Sequence, residues 1–212
     1  MSDIHHHVIG QLQNETQYNY YQLLKQVGNS KIEQSLPSVD IRLLNTIELF
    51  AFGNYSHYLK YKSKFLELEK ELLLKLIKLT ILSMTADHEG KTISLDEMES
   101  KYQLQTAIEH YGSLTSAMEC HLLESIFFSM VDDCLIDVKL DDWGSRVNVM
   151  KTIHLRDCYN SEDIQLVVLT EEDIPRNAGT SYAKLEKWLE MNIMPIQKEF
   201  EKNRHDNENP TG

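Results

Sequence analysis

A mainly α protein with one small β-sheet is what this 212-residue sequence predicts. Along most of the chain the apolar residues recur at three- and four-residue steps, the spacing that lays an oily stripe along a helix. Only between Ile136 and Leu155 does the period fall to two, in two runs parted by Asp142-Trp143-Gly144-Ser145, as in a β-hairpin. A content of 42% apolar and 25% charged residues is that of a globular chain, here long enough to bury a core.

Residues 1–14 carry His5-His6-His7 among polar neighbours and predict a disordered start; no carboxylate or further histidine is spaced to close a metal site around them. Tyr18, Tyr21, Leu24 and Val27 suit a short helix stopped at Gly28-Asn29. A second opens at Pro37-Ser38, carries the stripe Ile41, Leu44, Ile47 and Phe50, and ends at Gly53. Tyr55 to Lys64 is a third, short and rich in lysine. From Phe65 to Ala86 the stripe Leu68, Leu72, Leu76 and Leu79 is flanked by Leu73, Ile77 and Met84, too apolar for a surface helix. Ser94 and Glu97 form a capping box that starts a short helix running to about Tyr102.

A polar linker to about Ser113 precedes the next helix, whose stripe is Leu122, Leu123, Ile126, Phe127 and Met130. The hairpin then alternates Ile136, Val138 and Leu140 with charged residues, and Val147, Val149, Ile153 and Leu155 with Asn148, Met150 and His154. Asp163 to Leu169 is an apolar, strand-like run. In the last helix, 180–202, Thr180-Ser181 supplies a cap. Leu185, Trp188, Leu189, Asn192, Ile193, Ile196 and Phe200 recur at helical steps, with Pro195 expected to kink or restart it. Residues 203–212 read as a disordered tail.

Several functions are disfavoured by what the chain lacks. No window approaches eighteen apolar residues and no secretory leader opens the chain, so no membrane partner is expected. Cys120, Cys134 and Cys158 have no paired spacing and read as buried small residues. No catalytic or dinucleotide motif occurs, and His88, His110, His121 and His154 stand singly, so no cofactor, metal or enzymatic chemistry is indicated. The formal charge is −12, and not one Lys or Arg falls between Tyr102 and Val138. A helix that reads a DNA groove needs the opposite sign, so no nucleic acid is expected as partner. The lysines from Lys60 to Lys78 interleave with glutamates, as on a solvated helical face.

Helices followed by a hairpin are the layout of a winged helix. The particular residues resemble those of PCI-domain proteins: the aromatic-glycine turn Phe50-Ala51-Phe52-Gly53, the helix Lys75 to Met84, and the Leu122-Leu123-Glu124-Ser125-Ile126 helix before the wing Ile136 to Asp141. Leu155-Arg156-Asp157 is similar to the step that leaves the wing in that family. The resemblance covers about residues 40–200 and is nearest to the COP9 signalosome branch, its subunit-seven type and the short fungal form called subunit nine. Asp137 stands where the family has a glycine.

The resemblance implies a helical-repeat segment over 15–70, a winged helix over 71–170 and an assembly helix over 180–202. It implies a non-catalytic structural subunit, located in nucleus and cytoplasm, in a complex that removes a ubiquitin-like protein from cullins. The metallopeptidase signature of such a complex, His-x-His with an Asp eleven residues on, is not met, since after His5 and His7 that position holds Tyr18. A PCI subunit of the proteasome lid or of a translation-initiation factor has the same architecture, and a winged-helix DNA-binding regulator is the remaining alternative.

Two surfaces are expected to meet other signalosome subunits, and cullins indirectly through them. One is the edge of the strand carrying Val147, Val149 and Ile153, free to pair with a neighbouring sheet or else covered by Ile164 to Leu169. The other is the terminal seam of Leu185, Trp188, Leu189, Ile193, Ile196 and Phe200, which folds back or enters a helix bundle. The resemblance implies the bundle.

Overall fold

The computed structural model describes residues 3–33, 41–115, 122–141, 145–174, 178–197 and 200. The Pro37-Ser38 helix start, Cys120, His121, the hairpin tip 142–144 and the tail 203–212 lie outside them. The chain is mainly helical with a small antiparallel sheet. Its elements are α1 (Asp3–Gln13), α2 (Tyr21–Glu33), α3 (Ile41–Phe52), α4 (Tyr55–Lys60), α5 (Lys70–Asp87), β1 (Thr92–Ser94), α6 (Leu95–Tyr102), α7 (Leu104–Thr115), α8 (Leu122–Asp132), β2 (Ile136–Leu140), β3 (Arg146–Thr152) and α9 (Ala178–Trp188).

α5 is the axis of the core, as its apolar surplus requires. Leu73, Leu76, Ile77, Leu79, Ile81, Leu82 and Met84 are all fully buried, on every side of the helix. α3, which packs on α2 and α1, has Leu43 through Phe52 inside. α5 begins at Lys70, later than the periodicity alone predicts; Phe65 and Leu68 are buried in the extended approach to it. α6 begins where its cap dictates, with the Ser94 hydroxyl accepting the Glu97 N–H at 3.2 Å.

Four expectations need correction here. The first fourteen residues are not a loose start: α1 packs on α5, with Val8 and Leu12 fully buried. Lys75, taken for part of a solvated face, is buried. Its Nζ donates to the carbonyls of Asn14 and Glu15 at 2.8 and 2.9 Å, 3.6 Å above the Tyr18 ring, and so closes the end of α1 with a cation. α2 runs through Gly28 to Glu33. The linker before α8 contains α7, whose Leu104, Ala107, Ile108 and Tyr111 pack onto α5, α6 and α8.

The sheet has three strands in the order β1-β3-β2, all antiparallel. β1 pairs Ile93 with Val147, and the ladder continues through Gly90 and Lys91 to Val149. Opposite the Asp137–Val138 step β3 carries one extra residue, Met150, a bulge that bends it against β2. β3 is therefore the central strand. Val147 and Val149, each 1% exposed, point into the core and are not an interface edge.

The run 163–169 adds no strand and does not cover the hairpin. Its N–H groups at Val167, Val168 and Leu169 all donate to the buried Glu48 carboxylate of α3, at 2.7, 3.0 and 2.8 Å. Three charge-assisted bonds satisfy backbone that would otherwise seek a ladder.

Where the chain leaves the sheet, Arg156 and Asp157 tie its parts together. The Arg156 guanidinium is buried and donates to Gly53 O (2.6 Å), Phe50 O (2.7 Å), Leu79 O (3.3 Å) and Ser83 Oγ (2.6 Å). It closes the C-terminus of α3 and joins it to α5. The Asp157 carboxylate accepts the Tyr20 and Tyr21 N–H groups at the start of α2. Burial raises the Asp157 carboxyl pKa, against the pull of those two N–H groups.

Candidate interaction surface

The predicted site residues fall into two separate groups. Val147 and Val149 are core, and Ile153, just past β3, is 51% exposed beside exposed Met150 and Leu155. Leu185, Trp188, Leu189, Ile196 and Phe200 all lie on the C-terminal helix, and all are exposed: Leu185 54%, Trp188 52%, Phe200 74%. Tyr182, Met191 and Met194, which the seam omitted, are exposed beside them, while Ile193 is half-buried. Among the described residues α9 packs extensively with no element except its own continuation. It begins at Ala178, so Thr180 lies inside the helix and not at its cap. A row of large apolar side chains in water costs solvation that only burial recovers.

Pro195 does not stop this helix, for a local reason. A proline ring clashes with the carbonyl four residues before it and offers no N–H to that carbonyl. Here the turn Leu189–Ile193 widens to a π-helix, in which the Met194 N–H bonds to Leu189 O, and the helical backbone continues through 194–197. The Asn192 side chain donates to Trp188 O at 2.9 Å, satisfying a carbonyl that the wide turn displaces. The helix thus carries its apolar residues past Pro195.

Elsewhere the chemistry-bearing side chains serve the fold. Among the described residues no three His, Cys, Asp or Glu side chains gather as a metal site, and no helix is long and apolar enough to cross a membrane. Cys134 and Cys158 are exposed, contrary to the sequence expectation; Cys134 sits in a left-handed turn (φ 56°) between α8 and β2 that puts its side chain outside. His88 is buried with ring nitrogens against Met84 O (2.9 Å) and Glu97 (3.2 Å), and His110 meets the Tyr55 hydroxyl at 3.1 Å.

A cleft of about 270 Å³ opens between α4, α5 and α6, lined among others by His57, Asp87, Lys101, Arg156 and Asp173. His57 is the third residue of α4 and part of its cap: Asn54 Oδ1 accepts the His57 N–H, and His57 Nδ1 accepts the Asn54 N–H, each at 3.2 Å. An accepting Nδ1 leaves the neutral ring its proton on Nε2. Burial pushes the imidazole pKa down to about 4, although Asp173 Oδ1 stands 3.9 Å from Nε2 and pulls the other way. Burial alone would raise the Asp173 carboxyl, but hydrogen bonds from Lys60, Thr170 and Tyr61 outweigh it and hold the group far below the carboxylate range.

The His57 shift has a measurable sign. Between its ordinary value near 6.5 and about 4, the unfolded chain takes up a proton that the folded ring refuses, so acidification through this window lowers stability. The loss should reach on the order of 2–3 kcal/mol near pH 4. Gln at this helix position can accept the same N–H without titrating. The urea midpoint of His57→Gln should therefore fall less than that of the wild type between pH 7 and 4.5. Parallel pH profiles would contradict the assignment.

The architecture is that of a mainly helical protein with a three-stranded antiparallel sheet, and its C-terminal helix exposes a series of large apolar side chains. Compared with models of protein families the chain matches none, and no curated protein matches it.

Proposed function

We propose that this chain is a non-catalytic PCI-domain subunit of a COP9 signalosome-type complex, where it supports removal of a ubiquitin-like protein from cullins. The observation that carries the reading is the C-terminal helix: large apolar side chains from Tyr182 to Phe200 remain exposed although the rest of the chain closes a core without them. Such a helix becomes stable in water by entering a bundle with helices of other subunits. The order α5, β1, α6, α8, β2, β3 supports the winged-helix part of the reading, with α7 as an addition between its second and third helices. α1 to α4 supply the helical segment before it. The winged-helix side of the assembly contact passes to Met150, Ile153 and Leu155, which are exposed, and away from Val147 and Val149. Nucleus and cytoplasm are the proposed locations.

Affinity purification of the full chain followed by mass spectrometry tests this. Co-purification of a signalosome metallopeptidase subunit and its neighbours is expected. Recovery of proteasome-lid or ribosomal partners without that subunit would move the chain to another PCI assembly and overturn the assignment.

A further inference from the structure

We propose that Thr170 is a phosphorylation site, read by a serine/threonine kinase that recognises carboxylates following its target hydroxyl, and that its modification unfastens the segment leading to α9. From Tyr159 to Ile174 the chain runs as a strap over α2, α3 and α4. Asp163 accepts the Tyr21 hydroxyl at 2.8 Å, Glu48 holds the N–H groups of 167–169, and Asp173 fastens the far end. At that end one carboxylate gathers five groups. Asp173 Oδ2 accepts the Thr170 N–H (3.0 Å), the Thr170 hydroxyl (2.9 Å) and the Tyr61 hydroxyl (3.0 Å); Oδ1 takes Lys60 Nζ at 2.8 Å, with His57 Nε2 3.9 Å away.

Two independent properties make the Thr170 hydroxyl a substrate. Thr170 is exposed in extended backbone, and Glu171 and Glu172, exposed as well, precede Asp173 without a break. The fold that a kinase must open is one three-residue turn, closed by Asp173 N–H to Thr170 O (3.0 Å) and Ile174 N–H to Glu171 O (3.2 Å). The second property is that the hydroxyl is a working part of the latch, so its modification has a structural consequence. In the reaction the γ-phosphoryl group of ATP passes to Oγ1: the new P–O bond forms as the bond to ADP breaks, and the hydroxyl proton leaves to the kinase base.

The product cannot keep the latch as it is. Oγ1 no longer carries a proton to donate to Asp173, and the phosphate brings nearly two negative charges beside an ionised carboxylate. Repulsion between the phosphate and the Asp173 carboxylate drives the two apart, so the side-chain bonds that join Thr170 to Asp173 are lost and the strap end, held through Asp173 to Lys60 and Tyr61, loosens. α9 begins at Ala178, shortly beyond, so the root of the assembly helix is freed as well; this last effect rests on the assembly reading, whereas the release of the strap does not.

The test uses the full chain, ATP and an acid-directed serine/threonine kinase, with tandem mass spectrometry to place the phosphate and hydrogen exchange to follow the strap. One phosphate on Thr170 is expected, absent in Thr170→Ala, with exchange of the 167–174 amides faster by about tenfold. Lys60→Ala should loosen the same amides in part without phosphate. Phosphate absent from Thr170, or placed instead on exposed Ser161, would overturn the site; a fully modified Thr170 with unchanged exchange would overturn the release.

Discussion

Removing residues 180–212 will leave a folded protein that no longer assembles. The deleted part contributes little to the core, since α9 and its continuation keep Tyr182, Leu185, Trp188, Leu189 and Ile196 exposed. Trp188→Ala combined with Leu189→Ala should act the same way, because truncating large anchors at a desolvated interface costs about 2 kcal/mol or more each. The melting temperature of the isolated double variant should stay within about one degree of the wild type, whereas a helix folded back on its own domain would lose several degrees. A destabilised monomer that still assembles would contradict the interface.

Arg156→Ala is expected to be the most damaging single substitution in the core. It strips a donor from the carbonyls of Gly53, Phe50 and Leu79 and from the Ser83 hydroxyl. Losing a buried charged donor with several acceptors costs about 3–5 kcal/mol, or roughly 10 °C for a domain of this size. Arg156→Lys should recover little of that, because a single ammonium cannot span acceptors on two helices as the planar guanidinium does. Denaturant titration of the three proteins gives the comparison, and a wild-type midpoint for Arg156→Ala would remove the residue from this role.

What the sequence made legible depended on how local the cause was. α5 was readable because its leucines recur over five turns, α6 because Ser94 and Glu97 mark its start, and the hairpin because alternation persists on both sides of a turn. α1 was hidden by His5-His6-His7, although Ile4, Val8 and Leu12 stand at helical steps beneath them. α7 was missed because its stripe counts an alanine and a tyrosine among polar neighbours. β1 is three residues long, too short for a period, yet it decides that Val147 and Val149 are core and not edge.

Arg156 and Glu48 left no local signal at all. The partners of Arg156 lie 73 to 106 positions away, and those of Glu48 119 to 121, and each partner is backbone or a lone hydroxyl. The apolar run 163–169 resembled a strand in pattern, but a carboxylate on α3 takes three of its donors. The terminal seam was legible as a stripe, since Leu185, Trp188, Leu189 and Ile193 obey helical spacing. The π-turn that carries it past Pro195 depends on a backbone adjustment that side-chain periodicity does not record.

The C-terminal helix is the surface proposed to meet this chain's partners. Hydrogen exchange across residues 178–197, measured in the free protein and again in the purified complex, tests it most directly. Fast exchange in the free chain and strong protection on assembly, spanning Leu185 to Ile196, is the predicted result. Equal exchange in the two states would contradict it.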